Sequence, residues 1–333
     1  MKGTMLAMRM HGPGQPLRLE RVACPRPGPG EVLLQVLACG VCRTDLHVRD
    51  GELPCPRLPL TLGHEIVARV LECGAGVTAL QPGQRAGVPW LARTCGVCRY
   101  CRSGAENLCE SAEFTGYTRD GGYAQYALAD ARYCLSLPER YSDVEAAPLL
   151  CAGLIGYRAY RAAGEAECLG LYGFGAAAHL LAQLARADGR RRVFAFTRAG
   201  DVAGQAFARS LGAEWAGAAD ESAPEPLDAA ILFAPAGELV PRALAATRKG
   251  GRVVCAGIHM SDIPAFPYRL LWQERSVSSV ANLTRSDGAR FMQCAARTHL
   301  HCVTEPFALD EANTALERLR RGQLRGAAVL SLG

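Results

Sequence analysis

The chain has 333 residues, 49% of them hydrophobic and 21% charged, which is enough apolar chain for two domains with buried cores and excludes disorder as the dominant state. Its 37 basic and 32 acidic side chains leave a formal charge of +5, too diffuse to argue for nucleic acid, so a small molecule is the expected partner. The short apolar run 5–8 between Lys2 and Arg9 is no secretory h-region, and no stretch reaches the roughly 18 apolar residues needed to cross a bilayer. We therefore expect a soluble, cytoplasmic protein with neither a membrane nor a nucleic-acid partner. Fifteen cysteines, an odd number, in a chain without a signal peptide point to metal ligation or plain core thiols rather than to disulfides.

From about residue 31 to residue 137 the chain is strand-like and rich in turns, with short apolar runs at 32–37, 66–71 and 123–127 split by Gly and Pro. From 169 to 283 apolar strands alternate with Ala-rich helical stretches: strand 168–172, helix 178–187, strand 193–196, helix 202–211, then strands 229–233 and 253–257. That alternation predicts an α/β region with a parallel sheet and helices on both faces. The tail predicts helices at 289–296 and 310–321 and a last strand at 327–332. No internal repeat or low-complexity linker interrupts this order.

Cys95, Cys98, Cys101 and Cys109 lie within 15 positions. Four thiolates so spaced can close a tetrahedral shell around zinc with no open position, which suits a structural ion, and Gly96 and Gly104 let the backbone wrap around it. Iron–sulfur ligation also uses close cysteines, but its common runs end on a different spacing. Four unrelated core thiols are the bland alternative.

A second set is more dispersed: Gly40-Val41-Cys42-Arg43-Thr44-Asp45-Leu46-His47, then Gly63-His64-Glu65, then Leu150-Cys151-Ala152-Gly153. Singly, a buried Cys is usually a small hydrophobe and a lone His a satisfied polar group. Together the segments resemble the zinc-dependent alcohol dehydrogenases of the medium-chain dehydrogenase/reductase superfamily. The resemblance runs from Cys24-Pro25-Arg26-Pro27-Gly28 to Ala327-Ala328-Val329-Leu330. It implies a GroES-like β-rich catalytic domain (1–152 with 284–333) and a Rossmann domain with a doubly wound parallel sheet (153–283). It also implies Cys42, His64 and Cys151 as ligands of a catalytic zinc with one open position, distinct from the structural zinc of the four cysteines. Glu65 matches an acidic neighbour of that metal, and Asp45 a carboxylate that fixes the tautomer of His64. Thr44 and His47 match a relay that carries the alcohol proton to solvent. Trp90 and Leu91 line the substrate pocket by the same resemblance, with core packing as their bland alternative.

Residues 169–172 read as a strand followed at once by Gly173-Phe174-Gly175-Ala176-Ala177-Ala178 and a helix. Gly173 allows the tight turn, Gly175 lets the backbone approach a pyrophosphate, and the helix start offers free amides to anionic oxygens. Ala256, Gly257 and Ile258 are expected against the same dinucleotide. Relatives often place Thr where this chain has Ile155, Val where it has Ala177, and Arg where it has Ala327; Arg325 is the expected replacement for the last. At the end of the second strand stand Thr197 and Arg198, 24 and 25 residues after Gly173, with no carboxylate until Asp201. A carboxylate there would favour a free ribose hydroxyl, whereas a guanidinium accepts a 2′-phosphate, so NADP(H) is expected over NAD(H). Asp201 folding back to the ribose is the competing reading.

The expected activity is hydride transfer between a primary or secondary alcohol, or the aldehyde or ketone, and NAD(P), by a homo-oligomer (dimer or tetramer) carrying two zinc ions per chain. A non-catalytic zinc or redox sensor would not need Thr44, His47 and an open metal site together. Quinone or enoyl reductases of the same superfamily generally lack both sets of cysteines.

Overall fold

The computed structural model describes residues 3–54 and 57–332. Contacts divide the chain into two units, Met1–Cys151 with Asn282–Gly333, and Ala152–Ala281. The first opens with β1 (Thr4–Met10), β2 (Arg18–Ala23) and the long β3 (Glu31–Val41). Helix α1 (Arg43–Asp50), β4 (Leu60–Thr61), β5 (Glu65–Cys73) and β6 (Arg85–Val88) follow. Next come β7 (Leu91–Arg93), the single-turn α2 (Arg99–Arg102), β8 (Glu113–Phe114), β9 (Tyr126–Asp130) and α3 (Asp143–Ala146).

The second unit runs α4 (Ala152–Ala162), β10 (Cys168–Tyr172), α5 (Ala176–Asp188), β11 (Arg192–Thr197), α6 (Val202–Ser210), β12 (Trp215–Ala218), β13 (Leu227–Leu232), α7 (Leu239–Ala246), β14 (Thr247–Cys255) and β15 (Ser276–Ser279), of which α4, β12, α7 and β15 add to the elements expected from the sequence. The chain then returns to the first unit through α8 (Arg285–Arg297), β16 (Thr304–Phe307), α9 (Ala312–Arg320) and β17 (Ala327–Ser331).

The β-rich unit is organised on β3. One of its edges pairs with β5, and the other is shared between β9 at residues 31–35 and β17 at residues 38–41, all antiparallel. A strand buried on both faces reads as a nearly continuous apolar run, and here Val32, Leu33, Leu34, Val36 and Cys39 are at most 2% exposed. The second unit is a parallel sheet in the order β12-β11-β10-β13-β14-β15, the doubly wound arrangement in which the strand order reverses between β10 and β13. Its core includes Tyr172 stacked on Phe196, ring centroids 4.1 Å apart. Large side chains buried in this way each contribute roughly 1.5–3 kcal/mol. No helix among the described residues is long and apolar enough to cross a membrane.

Several boundaries differ from the sequence reading. The strand expected at 123–127 begins at Tyr126. Its forerunners are taken by another partner: the amides of Gly121, Gly122 and Tyr123 donate to the carbonyls of Thr61, Gly63 and Leu62 at 2.8–2.9 Å. α8 starts before the expected 289 because Thr284 and Asp287 form a reciprocal cap, each side chain accepting the other's amide at 3.1 Å. The helix expected from 310 opens as a 3₁₀ turn, Leu309–Glu311, before α9. β15 is exposed at all four positions and has no apolar rhythm to read.

Candidate active site

The turn from β3 into α1 places Cys42 at the N-cap of the helix, where the backbone is extended (φ −113°, ψ 161°). Asp45, one turn in, accepts the Cys42 amide at 2.8 Å, the Gly63 amide at 3.3 Å, His64 Nδ1 at 3.2 Å and the Tyr123 hydroxyl at 3.0 Å. One carboxylate thus ties the α1 start, the loop before β5 and the segment before β9 together. With Nδ1 committed to Asp45, the His64 ring presents Nε2 on its other side. That nitrogen is buried and has no hydrogen-bond partner among the described residues.

What Nε2 faces is a set of soft donors. One ligand atom each from Cys42, His64, Glu65 and Cys151 lie within 4.8 Å of one another, and the two sulfurs are 3.7 Å apart. Cys151 arrives from a distant segment, between the 3₁₀ turn Ala147–Leu150 and α4. Charge and hydrogen bonding couple the members of this set. The hydrogen bond from Cys151 keeps Cys42 well below the usual thiol range despite burial, and His64 adds to this. The same bond, with burial, drives Cys151 well up. Burial opposes a charge on His64, but Asp45 and Cys42 together carry the imidazole well above its ordinary value. Burial pushes the Glu65 carboxyl well up, and the charge of Cys42 adds to the rise. An orphaned buried nitrogen beside two thiols fits a zinc-type cation, which would replace the protons.

Cys95, Cys98, Cys101 and Cys109 form a second set, with one sulfur each within 4.8 Å of the others. Cys95–Cys101, Cys98–Cys101 and Cys95–Cys109 have Sγ separations of 3.9, 3.6 and 3.6 Å, far beyond a disulfide. Gly96 and Gly104 turn the chain at φ +74° and +76°, a region that favours glycine. Backbone amides of Val97 and Cys98 bring the Cys95 thiol down to about 6, while burial sends Cys109 up to about 11. The sequence reading missed a support: Thr94 Oγ1 lies 3.4 Å from Cys101 Sγ and 2.6 Å from the Tyr133 hydroxyl. No local pattern announces it, because Tyr133 is 39 positions away.

In the second unit the turn after β10 has the geometry expected of its glycines. Gly173 has φ +89°, and a Cβ there would sit 2.8 Å from the Ala234 amide nitrogen. Gly175 is the N-cap of α5, a Cβ on it would meet nothing within 4 Å, and no side chain caps this 13-residue helix. Phe174, Ala176 and Ala177 are half-buried around it. This exposed N-terminus has what an anion requires. Thr197 is buried, and its hydroxyl lies 3.2 Å from the Arg198 carbonyl and 3.3 Å from the Gly217 carbonyl while accepting from Gln205 at 3.2 Å. Its hydrogen-bonding capacity is used by the fold, which leaves Arg198 as the exposed cation of the pair. Asp201 caps α6 through the Gly204 amide at 2.9 Å. Ala256 is buried beyond β14, and Gly257 and Ile258 are exposed. Ile155 is half-buried on α4, next to Gly156, where a Cβ would lie 3.4 Å from the Ala177 carbonyl. Ala327 is buried in β17 and Arg325 is exposed.

Thr44 and His47 are both buried and, three residues apart on α1, share a face. Trp90 meets His64 edge-on at 4.9 Å and stacks on Phe114 and Tyr117 at 5.3 and 5.7 Å. Leu91 is 1% exposed and pairs across the strands with Phe114. Sequence reasoning missed Tyr123, Phe114 and Tyr117, which are far from their partners along the chain. It also missed Glu52, five residues past His47, whose carboxylate meets His47 Nδ1.

Residues 28–139 match the family model described as alcohol dehydrogenase GroES-like domain. The chain is 46% identical to a probable alcohol dehydrogenase, AdhA, of Mycobacterium tuberculosis (strain CDC 1551 / Oshkosh), with 98% of this chain and 97% of the relative covered. Among solved structures it is similar to acetophenone reductase from Geotrichum candidum NBRC 4597 in complex with NAD, at 28% identity and TM-score 0.90 over 100% of this chain and 98% of that one. It is also similar to a protein from Sinorhizobium meliloti 1021 assigned as a zinc-binding dehydrogenase, bound to NADP, at 25% identity and TM-score 0.87 over 99% and 100%. Identity this high, carried from end to end across both units, places the chain among the alcohol dehydrogenases of the zinc-type medium-chain dehydrogenase/reductase family.

Proposed function

We propose that this enzyme oxidises primary or secondary alcohols, and reduces the matching aldehydes or ketones, with one catalytic and one structural zinc per chain and NADP(H) in preference to NAD(H). The observation that carries the metal assignment is the buried, partnerless Nε2 of His64 beside two coupled thiols. Zinc held by Cys42, His64 and Cys151 would supply a Lewis acid that lowers the pKa of an alcohol hydroxyl, and the nicotinamide would supply the hydride acceptor. The protein's own residues do the rest. Asp45 holds His64 in the tautomer whose Nε2 can ligate. Thr44 receives the hydroxyl proton and His47 passes it outward. Glu65 tunes the charge of the site, and Trp90 with Leu91 bounds the space for the substrate.

The cofactor sits, in this reading, in the domain of residues 153–283, on Gly173, Phe174, Gly175, Ala176 and Ala177, with Ala256, Gly257 and Ile258 beside it. Residues 1–152 with 284–333 carry the chemistry. The capping role of Asp201 supports the NADP preference, since a carboxylate spent on the α6 amides is withdrawn from a ribose hydroxyl. The enzyme works in the cytoplasm as a dimer or tetramer. A panel of alcohols and carbonyl compounds, scored by the nicotinamide absorbance before and after chelator treatment, tests the reading. Turnover that survives complete loss of metal would overturn it.

A further inference from the structure

We propose that Glu52 is a positioning residue for the proton exit: its carboxylate holds the His47 imidazole in the tautomer that can act as a base and stabilises the imidazolium while the proton passes. This rests on the reading of His47 as the exit, and the experiment below separates the two.

The end of α1 builds the pair. Gly51 takes the left-handed conformation (φ 79°, ψ 13°), and its amide caps the His47 and Val48 carbonyls. The chain therefore folds back over the last turn, the Glu52 amide donating to the His47 carbonyl at 3.0 Å and the Leu53 amide to the same oxygen at 3.3 Å. A Cβ on Gly51 would lie 3.0 Å from Pro13 Cβ, so the turn is closed from outside as well. The result is a carboxylate set against the imidazole by backbone geometry. The His47 side chain is 10% exposed and that of Glu52 43%, so the contact joins a buried ring to a group in water. Two further ion pairs lie on this corner. Arg49 Nε lies 3.3 Å from Asp50 Oδ1, and Arg320, from the α9 helix packed on α1, lies 2.6 Å from Asp50 Oδ2.

An ionised carboxylate only accepts, so the His47 nitrogen facing it, Nδ1, carries the hydrogen. In the neutral ring this leaves the lone pair on Nε2. The step balances simply. As the Thr44 hydroxyl takes the proton of the alcohol it gives its own to Nε2, where an N–H bond forms, Glu52 faces an imidazolium, and water then takes that proton to restore the neutral ring. No electron moves, and one proton leaves for each hydride transferred. Without the carboxylate the ring would divide between two tautomers.

The test compares Glu52→Gln, Glu52→Asp, His47→Gln and the double variant Glu52→Gln/His47→Gln as metal-loaded enzyme. We expect Glu52→Gln to lower kcat for alcohol oxidation by about tenfold, with KM for the alcohol nearly unmoved. Added imidazole buffer should restore part of the rate, Glu52→Asp most of it, and Glu52→Gln should cost nothing further in the His47→Gln background. A Glu52→Gln enzyme with the wild-type kcat and no response to buffer, beside a slowed His47→Gln, overturns the role of Glu52 alone. An unslowed His47→Gln overturns the relay reading itself. Nitrogen-15 spectra of the wild-type histidines, with His47 assigned by its loss in His47→Gln, give a readout independent of the Glu52 variants. The Nδ1–H tautomer is expected, and Nε2–H overturns the proposal.

Discussion

Gly40 and Glu65 face each other across β3 and β5, and a Cβ on Gly40 would lie 1.9 Å from Glu65 Oε2. The space for a buried carboxylate at the metal-ligand cluster is therefore made by the missing side chain on the neighbouring strand. Gly40→Ala should cost about 1–3 kcal/mol in denaturant unfolding through forced overpacking. Most of that loss should vanish in Gly40→Ala/Glu65→Ala, because the two side chains compete for one volume. Equal losses in the single and double variants would mean that the strand backbone, not Glu65, sets the requirement.

The two cysteine sets predict opposite phenotypes. Cys42→Ser should abolish turnover while leaving the unfolding transition nearly in place. Cys98→Ser should lower stability and solubility, since a structural zinc adds folding free energy of order 10 kcal/mol in small modules and less in a domain with its own core. Elemental analysis of the purified wild type should find two zinc ions per chain. One or none would overturn the pair of assignments.

The proposed cofactor preference rests on one exposed guanidinium, that of Arg198. Arg198→Ala should reduce kcat/KM for NADP by an amount equivalent to about 1.5–3 kcal/mol and leave kcat/KM for NAD nearly unchanged. With its hydroxyl engaged by Gly217 and Gln205, Thr197→Val should alter the Rossmann unit's stability more than its cofactor preference. An equal loss on both cofactors would reject Arg198 as the discriminator.

Acid stability is set in part at Asp130. Burial would raise its carboxyl, but hydrogen bonds from the Arg132 side chain and amide outweigh this and hold it below its ordinary 3.8. A folded value below the unfolded one stabilises the protein above about pH 4, and the gain disappears as pH falls through the folded value. Asp130→Asn should therefore be less stable than wild type at neutral pH, by about 1 kcal/mol because half-exposed Arg132 is screened. The two melting curves should converge as the pH is lowered below 4. Curves that stay parallel would show that the charge is not what matters.

How much of this was legible in the sequence depended on distance along the chain. In the second unit β10, α5, β11, α6, β13 and β14 were read, because strand, glycine turn and helix are local patterns and Gly173 and Gly175 carry their reasons within one turn, whereas α4, β12, α7 and β15 were not. The four-cysteine set was equally local. Cys42, His64 and Cys151 emerged only through resemblance, since nothing in composition links positions 109 apart. Tyr123 stayed invisible as a partner of Asp45, 78 positions away. The strand misplaced at 123–127 failed for the same reason: its first residues satisfy their amides on the loop before His64. Glu52 was within reach, because a glycine closing a helix signals a chain that doubles back on the last turn.

If both cysteine sets hold zinc as proposed, their spacings imply an order of loading. The thiols of Cys95 and Cys109 close a loop of 14 positions, whereas those of Cys42 and Cys151 close one of 109. Joining the ends of the longer loop costs about 2 kcal/mol more in chain entropy before any ion is held. During synthesis the compact set is complete while Cys151 is still inside the ribosome. A chain emerging into scarce metal would therefore fill its scaffold before its chemistry, and starvation would yield folded, half-metallated and inactive enzyme rather than unfolded chain.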